Sequence, residues 1–514
     1  MIIALWIAGM IFAWIMTAYL YKSIELGKML IAGTGIYFSI YVVSAGILIW
    51  KNTFNITTSL IIAIVVLLLL TVLAVIKNGL YLPKIKLAPI KYIGILLILI
   101  AAAIISSMNT SGVYGTGQDE GLYQIRAWYY MTEEYDNVLD FSEYYNIESD
   151  TEKKEYIQYI NTMVGYYRMT DDFSSDEKVS LAKGVTHGIL TFPALLALWG
   201  KMFGLVKMNG ILTLMFLLSI GNVWLTCCNM KIKQPVALVS CAVMTICPII
   251  IWSSRVTLTE IVLLMFISLF IMVLTESKKK DIGLLSVIPI VAACYYHVTI
   301  TIFIPLIIVI YLILIFATRQ LSYAVALIIS MIGYMTGFFM MTASSHAYTY
   351  SSFESIFGMT KDLINKDNLT AWIVTMSVIV IAYGIMFCVK PIRLELTEGF
   401  SNLQKSSKKR KIFGIVLCVL NVLVLAYTIY KGFKANSQGM WAGKLGSVCY
   451  LYATAFIFLP AAFACIFFIK NIIAKNKSYL VVFVSFMYVM LLYCDFMWVL
   501  IYRYYYYTRY FTPY

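Results

Sequence analysis

Apolar residues in this chain gather in runs of roughly twenty, most of them separated by short polar breaks, and this rhythm alone points to membrane-spanning helices. A bilayer core about 30 Å thick takes ~20 apolar residues in helical form. The runs predict helices over 2–21, 29–49, 57–76, 92–107, 208–228, 235–252, 257–275, 283–296, 298–317, 321–341, 370–389, 412–430, 446–469 and 478–501. The eighth and ninth of these fourteen are nearly continuous and separate only at Tyr295, Tyr296 and His297. The expected fold is an all-α polytopic membrane protein, a bundle of about 13–14 transmembrane helices. The first run is too long for a cleaved signal peptide, lacks a basic leading segment and passes straight into more membrane sequence, so it is expected to remain as a helix.

Composition agrees with the pattern: of 514 residues, 61% are hydrophobic and 12% charged. The ten cysteines lie within or at the edges of the apolar runs with no CxxC spacing, which reads as packing rather than a disulfide framework or a zinc site. A net charge of +14 gains its meaning from its distribution. With fourteen spans, alternate loops hold 22 of the 39 basic residues, including Lys22, Lys28, Lys91, Arg319 and the run from Lys405 to Lys411, and the positive-inside rule makes that side cytoplasmic. The opposite short loops and C-terminal tail hold nine. The basic excess thus sets orientation, no nucleic-acid partner is needed, and the Lys405–Lys411 run reads as a contact with anionic membrane lipids.

The remaining eight basic residues fall in the stretch 108–207, which lies on the outer side and also holds 15 of the 25 acids. A loop of this length among otherwise terse connections is expected to carry function. It opens with a turn-rich run from Thr110 to Gln118, followed by the paired carboxylates Asp119 and Glu120. The segment from Gly121 to Tyr130, which includes Tyr123, suits a helix lying along the membrane interface. The segment from Thr186 through His187 to Gly204 is a second amphipathic candidate feeding the fifth span.

An outer loop after an early helix, opening on Asp119-Glu120 with Tyr123 three residues beyond the Glu, resembles the first loop of the GT-C glycosyltransferase superfamily, whose members include the protein O-mannosyltransferases and the lipid A aminoarabinose transferases. The stretch His187 to Gly204 is similar to the entry to that family's second core helix. Ser254-Arg255 followed by Glu260 resembles the opening of its fourth. Tyr296-His297 followed by Pro305 resembles the run before a proline-containing helix, with His in place of the commoner Lys. Arg509-Tyr510 followed by Pro513 resembles the run near the end of the membrane domain. The resemblance implies a GT-C-type bundle divided into an N-terminal three-helix extension and cytoplasmic linker (1–91), a core module with its outer loop (92–320) and variable C-terminal helices (321–514). Two features depart from the family: three helices precede the core, and the sequence stops just after Pro513.

What the resemblance implies chemically is transfer of a sugar from a polyprenyl phosphate-linked donor to a glycan, lipid or protein acceptor at the outer face of the membrane. Such a reaction needs a base for the nucleophile and positive charge for the departing phosphate. Asp119 takes the base role by the family pattern and Glu120 orients it or the acceptor; the other reading is a solvated, helix-capping pair. Arg255 and His297 are the donor-phosphate candidates, against a snorkelling arginine and an interfacial histidine. Glu260 sits in the first turn of its span, where it also suits the helix dipole. Asp495 lies inside the last apolar run, where a charge is costly, and Arg503 or Arg509 either neutralises it or reaches the phosphate. The tyrosines between those arginines read equally as an interfacial aromatic belt. Acids between Glu133 and Glu155, with Asp171, Asp172, Asp176 and Glu177, offer a divalent cation a place, although they equally form a solvated surface.

Three other classes compete, one of them a purely structural membrane protein, against which Asp119-Glu120 argues only through the resemblance. A polysaccharide polymerase or ligase also uses lipid-linked sugars, but generally places its large loop later in the chain. A lipid-linked sugar flippase or transporter would show internal repeats or interrupted helices about a midplane site, and no repeat is visible.

Overall fold

Without water to satisfy them, backbone amides inside a bilayer must bond within their own segment, so the apolar runs become helices. A computed structural model describes residues 1–108, 119–132, 138–140, 146–155, 166–168, 183–186, 188–276, 282–356, 364, 368–436, 459–473 and 476–499. Each of the fourteen predicted runs carries helix in its described part. Nine helices among the described residues are long and apolar enough to cross a membrane. They are α1 (Ile2–Tyr21), α2 (Leu26–Trp50), α3 (Ile56–Asn78), α4 (Pro89–Ser107), and the helices Gly210–Asn229, Ile300–Thr318, Leu321–Ser344, Leu369–Cys388 and Ser407–Asn436.

The sixth predicted run is not one straight helix. It is a pair, Gln234–Ile246 and Pro248–Arg255, bent by 57°. Pro248 explains the break, because it lacks an amide hydrogen and drives the preceding residue out of helical geometry; Cys247 is extended at φ −66°, ψ 117°. Four further apolar helices are shorter, among them Glu260–Thr275 with 16 residues. At 1.5 Å per residue such a helix reaches only about 24 Å, less than the bilayer core. The expected division at Tyr295 to His297 is present: one helix ends at Tyr296, His297 is extended, and the next begins at Ile300.

Helix α2 lies at the centre, with 78% of its apolar window buried against 28% for α3. It packs on α1, α3, Val287–Tyr296 and Leu321–Ser344. Close approach is possible because α2 is rich in small residues: a Cβ at Gly46 would stand 2.6 Å from the Tyr295 ring. The three N-terminal helices therefore belong to the same core as Glu260–Thr275 and Val287–Tyr296. Outward stripes such as Ile3, Ile7, Ile11 and Ile15 on α1 are exposed at helical spacing, as a lipid-facing surface requires. A second core joins Ser407–Asn436, Leu459–Ile473 and Lys477–Val499 through Leu417, Cys465, Ile469 and Phe483.

The loops that carry most of the basic residues meet at one end of the bundle. Lys28 forms an ion pair with Glu276 and donates to Asn229 Oδ1 at 3.3 Å. Lys91 reaches both carboxylate oxygens of Glu25 at 2.9 and 2.7 Å, and the Tyr92 hydroxyl donates to the same group at 2.8 Å. Two strands, Ser23–Glu25 and Lys84–Lys86, pair in parallel beside them. Ser478 donates to the Thr275 carbonyl, Arg393 to that of Arg319 and Gln404 to that of Ala317, tying the later loops to the same end.

At the opposite end the long loop is not purely helical. Lys183–Thr186 pairs antiparallel with both Val138–Asp140 and Tyr166–Arg168 in a three-stranded sheet. Its two main helices are α5 (Asp119–Met131) and α6 (Thr191–Phe203). Both are packed into the bundle rather than laid along its surface: α6 is buried almost throughout, and α5 buries Tyr123, Gln124, Arg126, Ala127 and Tyr130.

Candidate functional site

Helix α5 begins on the paired carboxylates. Asp119 and Glu120 occupy its first turn, where the partial positive charge of the helix N-terminus favours acids, and both are half-buried. Four residues on, Tyr123 turns inward and packs edge-on against Phe192 of α6 at 5.0 Å. Gly188 makes this seat possible: its φ is +86°, and a Cβ there would lie 2.4 Å from the Tyr123 ring. His187, its neighbour, lies outside the described residues. The far end of α5 is held by Lys201, which donates to the Met131 carbonyl at 2.8 Å, and by Phe54, whose ring meets Tyr130 at 4.5 Å.

Two connections run from α5 to the segments that carry the other candidates. The first is polar: Gln124 Nε2 donates to Thr257 Oγ1, which in turn donates to Asn209 Oδ1 at 2.9 Å. All three residues are buried, and Thr257 stands between Arg255 and Glu260 in the chain. The second is aromatic, stepping from Tyr123 to Phe192 and from Phe192 to Tyr296 at 6.0 Å. Glu260, only 3% exposed, lies close enough to the Tyr296 hydroxyl to act on it electrostatically. Tyr123, Glu260 and the Tyr296-His297 turn thus share one end of the bundle, the end away from the basic loops.

Arg255 has a partner that the sequence did not reveal. Its Nε donates to the carbonyl of Ile105 at 2.9 Å, and Nη2 bonds the same oxygen, so the guanidinium caps the C-terminus of α4. Ser106 Oγ reinforces the junction by donating to the Ser254 carbonyl at 3.3 Å. A guanidinium has five N–H donors, and the two bonds to Ile105 leave others for a phosphate. His297 is buried and works as a local cap: its Nδ1 accepts from the Thr299 amide at 3.2 Å and lies 2.8 Å from Thr299 Oγ1. An accepting Nδ1 leaves the proton of a neutral imidazole on Nε2.

Asp495 belongs to the helix Lys477–Val499, and Arg503 and Arg509 lie outside the described residues. Asp171, Asp172, Asp176 and Glu177 lie outside them as well. Among the described residues no three His, Cys, Asp or Glu side chains gather as a metal site. A cavity of about 130 Å³ lies at the other, basic end, lined by Gln404, Arg410 and Lys477 among others.

The sequence reading missed Gln124, Arg126, Asn209 and Thr257. Arg126 is 1% exposed, with its guanidinium 4.7 Å from the Tyr130 ring centre. The signal was present as spacing: Glu120 and Gln124 are four apart, and Asp119 and Arg126 seven apart, so each pair shares a helix face. The fold defines a polytopic helical membrane protein with a buried polar network at one end. No family model matches the chain, and neither a curated protein nor a solved structure matches it.

Proposed function

We propose that the chain is a membrane glycosyltransferase that moves a sugar from a polyprenyl phosphate-linked donor to an acceptor at the outer face of the membrane. The observation that carries the reading is the double attachment of α5: Gln124 binds it to the segment of Arg255 and Glu260, and Tyr123 packs it through Phe192 onto Tyr296, next to His297. Paired carboxylates, an arginine and a histidine on segments fixed to one another supply the groups that sugar transfer from a phosphate needs. The order of these motifs, which resembles that of GT-C proteins, supports the same reading. Asp119 is the general base, Glu120 orients it, and Arg255 and His297 face the donor phosphate.

Transfer from a defined polyprenyl phosphate sugar in liposomes, measured beside movement of the donor across the bilayer, tests this. Asp119→Asn keeps size and shape but removes the proton acceptor, so transfer falls by ~100-fold or more while donor binding survives. Unchanged turnover in that variant, or lipid movement without product, overturns the proposal.

A further inference from the structure

The cavity at the basic end has a composition that neither packing nor the sugar-transfer reading explains. Its volume is about 130 Å³, and its walls come from the end of Ile300–Thr318, the short helix Glu398–Lys405, the start of Ser407–Asn436 and the turn between Leu459–Ile473 and Lys477–Val499. Its lining combines cationic and polar groups, Arg410, Lys477 and Gln404, with apolar ones, Phe400, Phe413 and Ile472. No carboxylate among the described residues lines it. Among the described residues neither Arg410 nor Lys477 has an ion-pair partner.

Among the described residues the two cations are held in place by neutral groups. Arg410 Nη1 donates to the carbonyls of Gln404 and Lys405 at the end of the short helix, while its Nε is buried and makes no hydrogen bond. Lys477 Nζ donates to the Tyr323 hydroxyl at 3.1 Å and lies 5.4 Å from the centre of that ring. An ammonium has three donors, so capacity remains on both groups. Leaving two partly buried cations on one cavity without an anion is costly, and a phosphate offers both the opposite charge and hydrogen-bond acceptors. The cavity is smaller than the ~300–1,000 Å³ of pockets that enclose a whole small molecule. It suits a head group whose remainder lies outside, beside the apolar residues of the lining. Phe400, Leu403 and Gln404, spaced three and four apart, place one face of the short helix on this cavity.

We propose that this cavity binds the phosphate of an anionic lipid in the leaflet at the basic end, with Arg410 and Lys477 on the phosphate and Phe400, Phe413 and Ile472 along the attached chain. The site is separate from the α5 end and does not depend on the sugar-transfer reading.

Binding of short-chain phosphatidic acid, the zwitterionic phosphatidylcholine of equal chain length, and inorganic phosphate to the purified full chain in detergent, read by native mass spectrometry and thermal shift, tests the proposal. Phosphatidic acid binds the wild-type chain more tightly than either of the others. Arg410→Gln combined with Lys477→Gln weakens it by about tenfold or more, since charge-assisted hydrogen bonds are lost. Lys408→Gln combined with Lys409→Gln removes the same charge from exposed positions of the neighbouring run and weakens it by less than about twofold. If the first double variant does not fold, Arg410→Gln alone carries the test with a loss of about threefold. Equal losses in the two double variants would mean diffuse attraction to a basic surface and overturn the site. Equal binding of phosphatidylcholine overturns it too, and inorganic phosphate binding as tightly as the lipid overturns the assignment to a lipid.

Discussion

The two ends of the bundle solve the problem of polar groups in different ways. At the basic end charges meet charges: Lys28 with Glu276, and Lys91 with Glu25, each joining elements far apart in sequence. At the α5 end the connections between described residues are neutral or cation–aromatic: Gln124 to Thr257 to Asn209, Arg255 to a carbonyl, Arg126 over Tyr130. Ion pairs fix helix ends and need no ligand. Hydrogen-bonded amides and hydroxyls fix a scaffold without charge, and the Arg255 guanidinium has donors beyond its two bonds to Ile105. The described loops of the basic end are thus clamped by ion pairs, with the cavity of Arg410 and Lys477 as the exception, whereas the α5 end is joined through neutral hydrogen bonds and aromatic contacts.

The largest effect is expected at Arg126. Its side chain is almost wholly buried, so Arg126→Ala leaves a void and removes the contact with Tyr130, costing about 3 kcal/mol in detergent unfolding. Trp128 on the same helix is 46% exposed, and Trp128→Ala stays within about 0.5 kcal/mol. Similar losses in the two variants would break the claim that α5 is packed on one face.

A smaller effect belongs to the clamp at the other end. Lys28→Met leaves Glu276 with a side chain only 13% exposed and no countercharge from Lys28, at a cost of about 2 kcal/mol. Glu276→Met on that background recovers most of the loss, because an apolar pair replaces a buried charge. Losses that simply add in the double variant would show that the two side chains do not act as a pair.

The smallest effect is a pH dependence at Glu25. Burial pushes its carboxyl upward, but the hydrogen bonds from Lys91 and Tyr92 and the charges of Lys91 and Lys28 outweigh that and hold it below the ordinary carboxylate range. A lowered folded-state pKa contributes stability above the unfolded value and loses it as pH falls through the folded one. The pair is about one-third exposed, so screening limits the contribution to roughly 0.5 kcal/mol. Glu25→Gln removes this part of the acid sensitivity, seen as a smaller drop in melting temperature below about pH 5. An unchanged acid profile would contradict the pairing.

Much of this was legible from the chain, and the physical reasons for the rest are specific. Span positions and the clustering of basic loops at one end follow from apolar run length and charge, both local properties. The break before Pro248 was also local and visible, but a continuous apolar run hid it. Burial was not local. Helix α2, with its glycines, serines and tyrosines, is central, whereas the more apolar α3 is largely lipid-facing, because small and hydroxylated residues suit helix–helix contact and bulky aliphatics suit lipid. The same ambiguity made α5 read as an interfacial helix: its spacing shows that two faces differ but not which partner covers the polar one. Arg255 and His297 were found as residues, while their bonds to Ile105 and Thr299 depend on backbone geometry that spacing does not encode.

By the distribution of basic residues the two ends are expected to face opposite sides of the membrane, with the α5 end outside. Single cysteines at Asp150 and Lys408, both exposed positions, are labelled with a membrane-impermeant thiol reagent in intact and then in permeabilised cells. The cysteine replacing Asp150 is expected to react in intact cells and the one replacing Lys408 only after permeabilisation. Reaction at position 408 in intact cells, with position 150 protected until the membrane is opened, would contradict it.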